Sequence, residues 1–374
     1  MIEPKDFFTK LQGLGVNLFA GVPDSLLKSF CAYVDDNAKA EEHIITANEG
    51  NAIALATGYH LTTGKMAAVY LQNSGIGNTI NPLTSITDRD VYSIPLLMIV
   101  GWRGEPEVKG EPQHVKQGAI TPQQLELLNI PYRLIEADTD IEEVLSQIIA
   151  TANETSAPVA LLVRKGAFAK YQSQRKPNAY SSLKREDALR TLLGLTGDSL
   201  IVSTTGKTSR EVFERRIERG EQQRDFLTVG GMGHTASIAF GVALGSPGKQ
   251  VVCLDCDASA LMHLGALPVI GNVAPGNLIH VLLNNAAHES AGGQPTVAGD
   301  MDFEAIASAC GYSHYYTASD AASIKKAWQD LTPHRGAGPI MLEVKITTGS
   351  RDDLGRPTST PVENKKAFMQ EAMR

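Results

Sequence analysis

The residues best able to do chemistry stand at the ends of two apolar runs. Residues 251–254, VVCL, have the composition of a buried strand and lead into Asp255-Cys256-Asp257-Ala258. A helical segment follows, then a Gly/Asn/Pro break at 271–277, then a second apolar run at 278–283 that stops at Asn284-Asn285. Strand, helix and strand of this length make one parallel crossover, which sets the ends of the two strands side by side. Asp257 and Asn285 would then reach one ion. A carboxylate, an amide oxygen and a free backbone carbonyl are hard ligands suited to Mg2+ or Ca2+. They are too few to fill an octahedron, and Mg2+ commonly completes its shell with water and phosphate oxygens. The pattern predicts a phosphorylated ligand held through the metal.

Other polar groups fall where strands hand over to helices. Glu49 opens a helix rich in small residues (Ala52, Ala54, Ala56, Gly58), where the helix dipole favours its charged form. Asp24 and Ser25 lie in the turn Gly21-Val22-Pro23-Asp24-Ser25, and either could cap the helix read at 26–33. That turn also lies at the carboxyl edge of the expected sheet, where open parallel sheets bind ligands. The stretch Gln72-Asn73-Ser74-Gly75-Ile76-Gly77-Asn78 reads as an amide-rich turn at the same edge. Gly206-Lys207-Thr208-Ser209 lacks the first glycine of a P-loop, because Ile201 stands there. Such a turn at a helix start can still bind phosphate through its amides. Gly230-Gly231-Met232-Gly233 would let the backbone approach a ligand. Of nine histidines, His114 and His288 fall in expected cleft loops, whereas His60, His263 and His280 fall on expected helices or strands.

The elements that must position these groups repeat. A helix over 6–14, strands at 16–20, 43–46, 65–71 and 96–100, a loop at 111–114 and a last strand at 159–163 make residues 1–168 one doubly wound parallel α/β domain. Residues 169–183, polar with Pro and Ser, read as a linker. Helix, strand and Gly turn then begin again, so 184–374 reads as a second copy of the same architecture. It ends in a polar tail at 350–357 that could close over a cleft as a lid.

The chain has 374 residues, 43% of them hydrophobic and 20% charged, with a formal net charge of −7. Two domains are the natural expectation. The acidic balance argues against nucleic acid as partner, and no apolar run approaches the ~20 residues of a membrane helix. Residues 1–6 do not read as a signal peptide. Four cysteines without paired metal spacing suggest reduced thiols in the cytoplasm.

LMHLG at 261–265, NLIHVLLNN at 277–285 and the H·S·GGQPT run at 288–296 together resemble the thiamine diphosphate (ThDP) decarboxylases of the phosphonopyruvate and sulfopyruvate type. Asn48-Glu49-Gly50-Asn51-Ala52 with Gly58-Tyr59 matches the segment that carries that family's activating glutamate. One departure is plain: the family usually has Gly-Asp-Gly where this chain has Cys256-Asp257-Ala258.

The resemblance implies two ThDP-fold domains, PYR over 1–168 and PP over 184–374, with ThDP and Mg2+ bound. It implies Glu49 protonating the pyrimidine ring, Asp257, Asn285 and Ala287 on the metal, and Gly206, Lys207, Thr208, Gly230, Gly231, Ala258 and Ser259 around the cofactor. Met232 matches the bulky residue over which ThDP bends. Asp24, His114 and His288 are candidate proton carriers. Ser25, Arg103, Gln113, Arg351 and Arg356 are candidate substrate contacts, and Lys207 a further cation for the substrate's anionic end. The implied reaction is decarboxylation of 3-phosphonopyruvate, a 2-oxo acid, to phosphonoacetaldehyde, in phosphonate biosynthesis. The implied partner is a second copy, with each site shared between subunits. Sulfopyruvate decarboxylase is the alternative, followed by a carboligase of the acetolactate synthase type and a non-catalytic ThDP-binding module.

Overall fold

In the computed structural model, which describes residues 1–108, 110–176 and 180–374, the chain divides into two compact units. Met1–Lys176 with Ser290–Gln294 forms the first, and Pro177–Glu289 with Pro295–Arg374 the second.

The first unit is built on β1 (Leu18–Gly21), β2 (His43–Ile45), β3 (Ala67–Gln72), β4 (Leu97–Gly101), β5 (Tyr132–Ile135) and β6 (Val159–Val163). They pair in the order β2-β1-β3-β4-β6-β5, all parallel. Successive residues of a strand point to opposite faces, and in β3 they serve two cores. Ala68 and Tyr70 join Phe7, Phe30 and Phe168, whereas Ala67, Val69 and Leu71 join Ile53, Ile76 and Leu96. Both faces are covered, the condition under which all-parallel sheets occur. Each large side chain buried this way contributes about 1.5–3 kcal/mol, so two-sided burial holds the unit together.

The second unit uses β7 (Leu200–Ser203), β8 (Phe226–Leu227), β9 (Val251–Cys256), β10 (Leu278–Asn284), β11 (His314–Ala318) and β12 (Ile340–Lys345). Their order is β11-β12-β10-β9-β7-β8, again all parallel. Ile279, Val281 and Leu283 of β10 face one core, and Leu278 and Leu282 face the other side. Counted within its own unit, each sheet reads second, first, third, fourth, sixth, fifth strand. The two halves are copies of one architecture, as the repeat in the sequence implied. In each, the chain steps to one side of its first strand and then crosses to the other, which opens a ligand crevice at the carboxyl ends.

Several boundaries differ from the sequence reading. The first helix is Pro4–Gly13 and another is Pro112–Leu127. In both, a proline with its preset φ occupies the first turn, so 111–114 is a helix start and no loop. The helix expected from 26 begins at Lys28, because Asp24 Oδ2 accepts the Leu26 amide at 2.9 Å and keeps the chain in a turn. The amide-rich stretch is a single 3-10 turn, Asn73–Gly75, running into the helix Ile76–Pro82.

Of the expected linker, 177–179 lies outside the described residues. Residues 171–175 are strapped to the helix Lys28–Asn37: Arg175 pairs with both oxygens of Asp35 at 2.7 and 2.8 Å, and the Gln174 amide donates to Asp36 at 2.8 Å. After the tail comes the helix Pro361–Met373, opened by a Thr360/Glu363 capping box. Its Asn364 clasps the backbone of Asp225 and Leu227 beside β8, and Phe368 packs on Phe226. Among the described residues no helix is long and apolar enough to cross a membrane.

Candidate active site

In the first unit the polar groups gather at the carboxyl ends of β1, β2, β3 and β4. Glu49 is the first residue of the helix Glu49–Thr63, and Asn48 caps that helix by accepting the Gly50 amide at 2.7 Å. The Glu49 side chain is buried, and its Oε2 accepts from Asn78 Nδ2 at 2.7 Å. Gly75 presses against it: a Cβ there would stand 2.4 Å from Glu49 Oε1. The 3-10 turn therefore reads as a seat for this carboxylate. Its other end is clasped by Asn73, which donates to the Arg103 carbonyl at 2.9 Å, accepts the Arg103 amide at 3.0 Å and donates to Thr121 Oγ1 at 2.8 Å.

Arg103 in turn faces Asp24, with Nε 3.9 Å from Oδ1. Asp24 is buried at the end of β1. Burial raises its carboxyl above the ordinary value, against the opposing pull of Arg103 and of the amides of Leu26, Leu27 and Ser25. Ser25 itself is half-buried. Burial, and then the nearby Arg103 charge, lower His114. Arg103 Nε, Gln113 Oε1 and His114 Nδ1 are all buried without a hydrogen-bond partner. Buried polar atoms are normally satisfied, so these three are open to a further hydrogen-bond partner.

In the second unit β9 and β10 run in register, with Leu283 opposite Cys256, so Asp257 and Asn285 end side by side. Asp257 is 1% exposed and begins the helix Asp257–Met262. Its Oδ2 accepts from Thr296 Oγ1 at 2.5 Å. Burial pushes its carboxyl up to about 6, against the hydroxyl of Thr296 and the amides of Ala258 and Asn285. No basic side chain among the described residues pairs with it. A buried carboxylate without a counter-charge is costly, and this donor set suits a cation. Asn285 and Ala287 are buried beside it, and Asn285 Oδ1 accepts the Ala287 amide at 3.1 Å. Ala286 between them has φ +53°, a left-handed kink.

The Gly206 turn opens the helix Lys207–Glu218, at φ +85° and with no side-chain cap. Its first amides are therefore available to an anion. Thr208 is buried there, but Lys207 Nζ is taken by Glu289 Oε1 at 2.7 Å. Ser259 Oγ accepts the Gly233 amide at 3.2 Å and so ties the Gly230-Gly231-Met232 loop to the Asp257 helix. Met232 is half-buried, and Ala258 is buried at the helix start. Cys256 is a neutral thiol, pushed up to about 12 by burial and then by Asp255 and Asp257.

His288 is buried, and burial pushes it down to about 4. Arg351 is held by Glu186 at 2.8 Å, by Glu214 and by Asp353 at 3.2 Å. Its charge is already matched, and the segment is fastened down in place of a free lid. Arg356 is exposed beside Gly355, whose amide donates to Glu214.

Sequence reasoning assigned no role to Asn73, Asn78, Thr296 or Glu289. The amide-rich composition of 72–78 and the GGQPT run were the available signals for the first three. Glu289 offered none, being one carboxylate among many.

These halves match two known domain families. The thiamine pyrophosphate enzyme N-terminal TPP-binding domain matches residues 5–127, and its C-terminal TPP-binding domain matches residues 205–344. A phosphonopyruvate decarboxylase of Streptomyces viridochromogenes is 35% identical, over 98% of this chain and 94% of that one. One from Streptomyces hygroscopicus is 34% identical, over 99% and 94%.

The chain belongs to the phosphonopyruvate decarboxylase family of ThDP enzymes. It is a carboxy-lyase of that family. A sulfopyruvate decarboxylase of Methanosarcina acetivorans is 29% identical, over 95% of this chain and 94% of that one. The residues present suit the family's cofactor. An unpaired buried carboxylate beside an amide oxygen fits a divalent cation, and an uncapped helix start fits a diphosphate.

Proposed function

We propose that this enzyme decarboxylates 3-phosphonopyruvate to phosphonoacetaldehyde with ThDP and Mg2+, in phosphonate biosynthesis in the cytoplasm. The bond between C1 and C2 breaks, CO2 leaves, and C2 takes a proton. ThDP supplies the electron sink; the protein supplies position, dryness and charge. Asp257, Asn285 and the Ala287 carbonyl hold the cation. The amides at Gly206, Lys207 and Thr208 take the diphosphate, with Gly230, Gly231, Met232, Ala258 and Ser259 shaping the floor. The first unit is then the PYR domain and the second the PP domain. Glu49, fixed by Asn78 and Gly75, would hold a proton for the pyrimidine ring. A single well-placed donor in a dry site is worth about 10²–10⁴-fold in rate.

The observation that carries this reading is the buried, unpaired Asp257 beside Asn285, in a chain alike end to end with phosphonopyruvate decarboxylases. Arg103, with Gln113 and His114, is the preferred anchor for the phosphonate: a guanidinium suits a planar pair of anionic oxygens, and its Nε, 3.9 Å from Asp24, makes no hydrogen bond. Asp24, Ser25 and His288 are left as proton or substrate contacts. The saturated Arg351 and the exposed Arg356 are weaker anchors. We further take the working unit to be at least a dimer, each site built from the PYR domain of one copy and the PP domain of another.

The test is CO2 release from phosphonopyruvate, sulfopyruvate and pyruvate, each with and without ThDP and Mg2+. Phosphonopyruvate should show a kcat/KM at least about tenfold above either rival, since a satisfied charged contact is worth about 1.5–3 kcal/mol. Arg103→Gln should raise KM for phosphonopyruvate more than for pyruvate. Preference for sulfopyruvate, the substrate of a relative that also matches end to end, would overturn the assignment.

A further inference from the structure

A primary amide presents an oxygen and an NH2 group of nearly equal size, so its rotation by half a turn changes chemistry without changing shape. For a cation the difference is absolute: the oxygen coordinates and the NH2 repels. Two contacts set the orientation of Asn285: its oxygen accepts the Ala287 amide at 3.1 Å, and its NH2 is met by a side chain. In this structure Asn285 Nδ2 donates to Glu289 Oε2 at 3.1 Å. An ionised carboxylate only accepts, so Glu289 admits the NH2 and rejects the oxygen.

Glu289 is itself pinned. Lys207 Nζ donates to its Oε1 at 2.7 Å, and Arg185 Nη1 to its Oε2 at 2.8 Å. Arg185 is held from its other side by Glu211, through Nε and Nη2 at 2.9 Å each. Arg185 and Glu211 are almost wholly buried, and the Glu289 side chain is 12% exposed. The cluster of two cations and two carboxylates is neutral. It joins the start of the helix Arg185–Leu195, the start of the helix Lys207–Glu218 and the loop after β10.

We infer that Glu289 is a positioning residue that orients Asn285 so that its oxygen, and not its NH2, is offered to the cation. The inference rests on the reading of Asn285 as a cation ligand. Residues that orient metal ligands in this way typically matter by 10–100-fold in metal affinity. Lys207 serves the same end indirectly, by fixing one oxygen of Glu289 so that the other points to Asn285.

The test is Mn2+ binding to the full-length protein with ThDP present, followed by electron paramagnetic resonance without substrate. Glu289→Gln should weaken Mn2+ binding at least about tenfold, because its own amide cannot satisfy Lys207, Arg185 and Asn285 together. Glu289→Asp keeps the charge but withdraws the acceptor by one methylene, and should weaken binding several-fold. That second variant decides the matter if the first fails to fold. The double variant Glu289→Gln/Lys207→Met restores a neutral cluster and should stay as weak as Glu289→Gln. Recovery of wild-type affinity in the double variant, or wild-type affinity in Glu289→Asp, would show an effect of charge alone and overturn the inference. Absence of ThDP-dependent Mn2+ binding in the wild type is a different result, and would bring down the functional reading beneath it.

Discussion

The two units fold the same chain path and then spend it differently. Both sheets run second, first, third, fourth, sixth, fifth, and both collect polar groups at the carboxyl ends of their strands. In the first unit a carboxylate follows the second strand: Glu49, on a helix start, with an amide donor at 2.7 Å. In the second unit the corresponding turn after β8 carries Gly230, Gly231 and Met232, with no carboxylate. There the carboxylate follows the third strand instead: Asp257, fed by a hydroxyl and backbone amides and paired with no basic side chain among the described residues. The equivalent place in the first unit, after β3, holds the neutral amide Asn73. One scaffold thus buries a carboxylate at the end of the second strand in one unit and at the end of the third in the other, which under the proposed function are the proton-carrying acid and the cation ligand. What differs is which strand end carries the charge and which donor meets it, a side-chain amide for Glu49 and a hydroxyl for Asp257.

The largest effects should come from exchanging these charges for neutral isosteres. Glu49→Gln is expected to lower kcat by about 10²–10⁴-fold, while Mn2+ and ThDP affinity stays within a few-fold of wild type. Asp257→Asn should do the reverse in order of cause: cation-dependent ThDP binding is lost first, and turnover falls with it. Steady-state CO2 release and a Mn2+ titration on the same preparations separate the two. If Glu49→Gln weakened the cation as severely as Asp257→Asn, the division of labour between the units would be gone.

The adjacency of Asp257 and Asn285 was legible in the sequence, and the reason is geometric. A parallel crossover forces its two strand ends together, so Asp257 and Asn285 could be paired from spacing alone. The register of β9 and β10 bears out that adjacency. The sheets were legible because runs buried on both faces are near-continuously apolar. The contacts that hold the side chains were not. Nothing in the local pattern says that Asn73 clasps Arg103 from thirty residues away, or that Asn78 reaches Glu49. Such contacts are set by tertiary packing. Lys207 shows the same limit: its place in a Gly-Lys-Thr-Ser turn suggested a phosphate contact, and its ammonium lies on Glu289. The C-terminal helix was missed for a related reason. Its apolar face is narrow, with Phe368 as the anchor, and what docks it is the side-chain amide of Asn364 on backbone beside β8.

A smaller effect should expose how closely the acid's seat is fitted. Gly75→Ala places a methyl group 2.4 Å from Glu49 Oε1, and no real contact is that short. Because Asn78 holds the other oxygen, the carboxylate must rotate or withdraw. A displacement of about 1 Å at a reacting group can cost up to 10²-fold, so kcat should fall about 10–100-fold. Glu49 Cδ at 2.6 Å and Cγ at 2.7 Å would be crowded as well, so the whole buried side chain must shift and the melting temperature should also fall. A kcat within twofold of wild type would mean that the glycine matters for the turn and not for the acid.

The smallest effect concerns stability, and it sharpens the contrast between a carboxylate kept for chemistry and one kept for structure. Burial raises Asp24 above its ordinary value despite Arg103 and three amides. A raised value means that the folded protein disfavours the ionised form. The cost is absent below the unfolded value, near pH 3.9, where the group is protonated in both states. It sets in as pH rises past that point and is complete once pH exceeds the folded value. Asp24→Asn carries no charge to desolvate, so the variant should melt above wild type at pH 7–8. The difference should shrink towards zero as pH falls to about 4. Thermal melts of the cofactor-free protein across that range measure it directly. A variant less stable than wild type at pH 8 would mean that the hydrogen bonds to the carboxylate outweigh its desolvation. Asp24 would then be a structural cap for the turn after β1, with no stability given up for function.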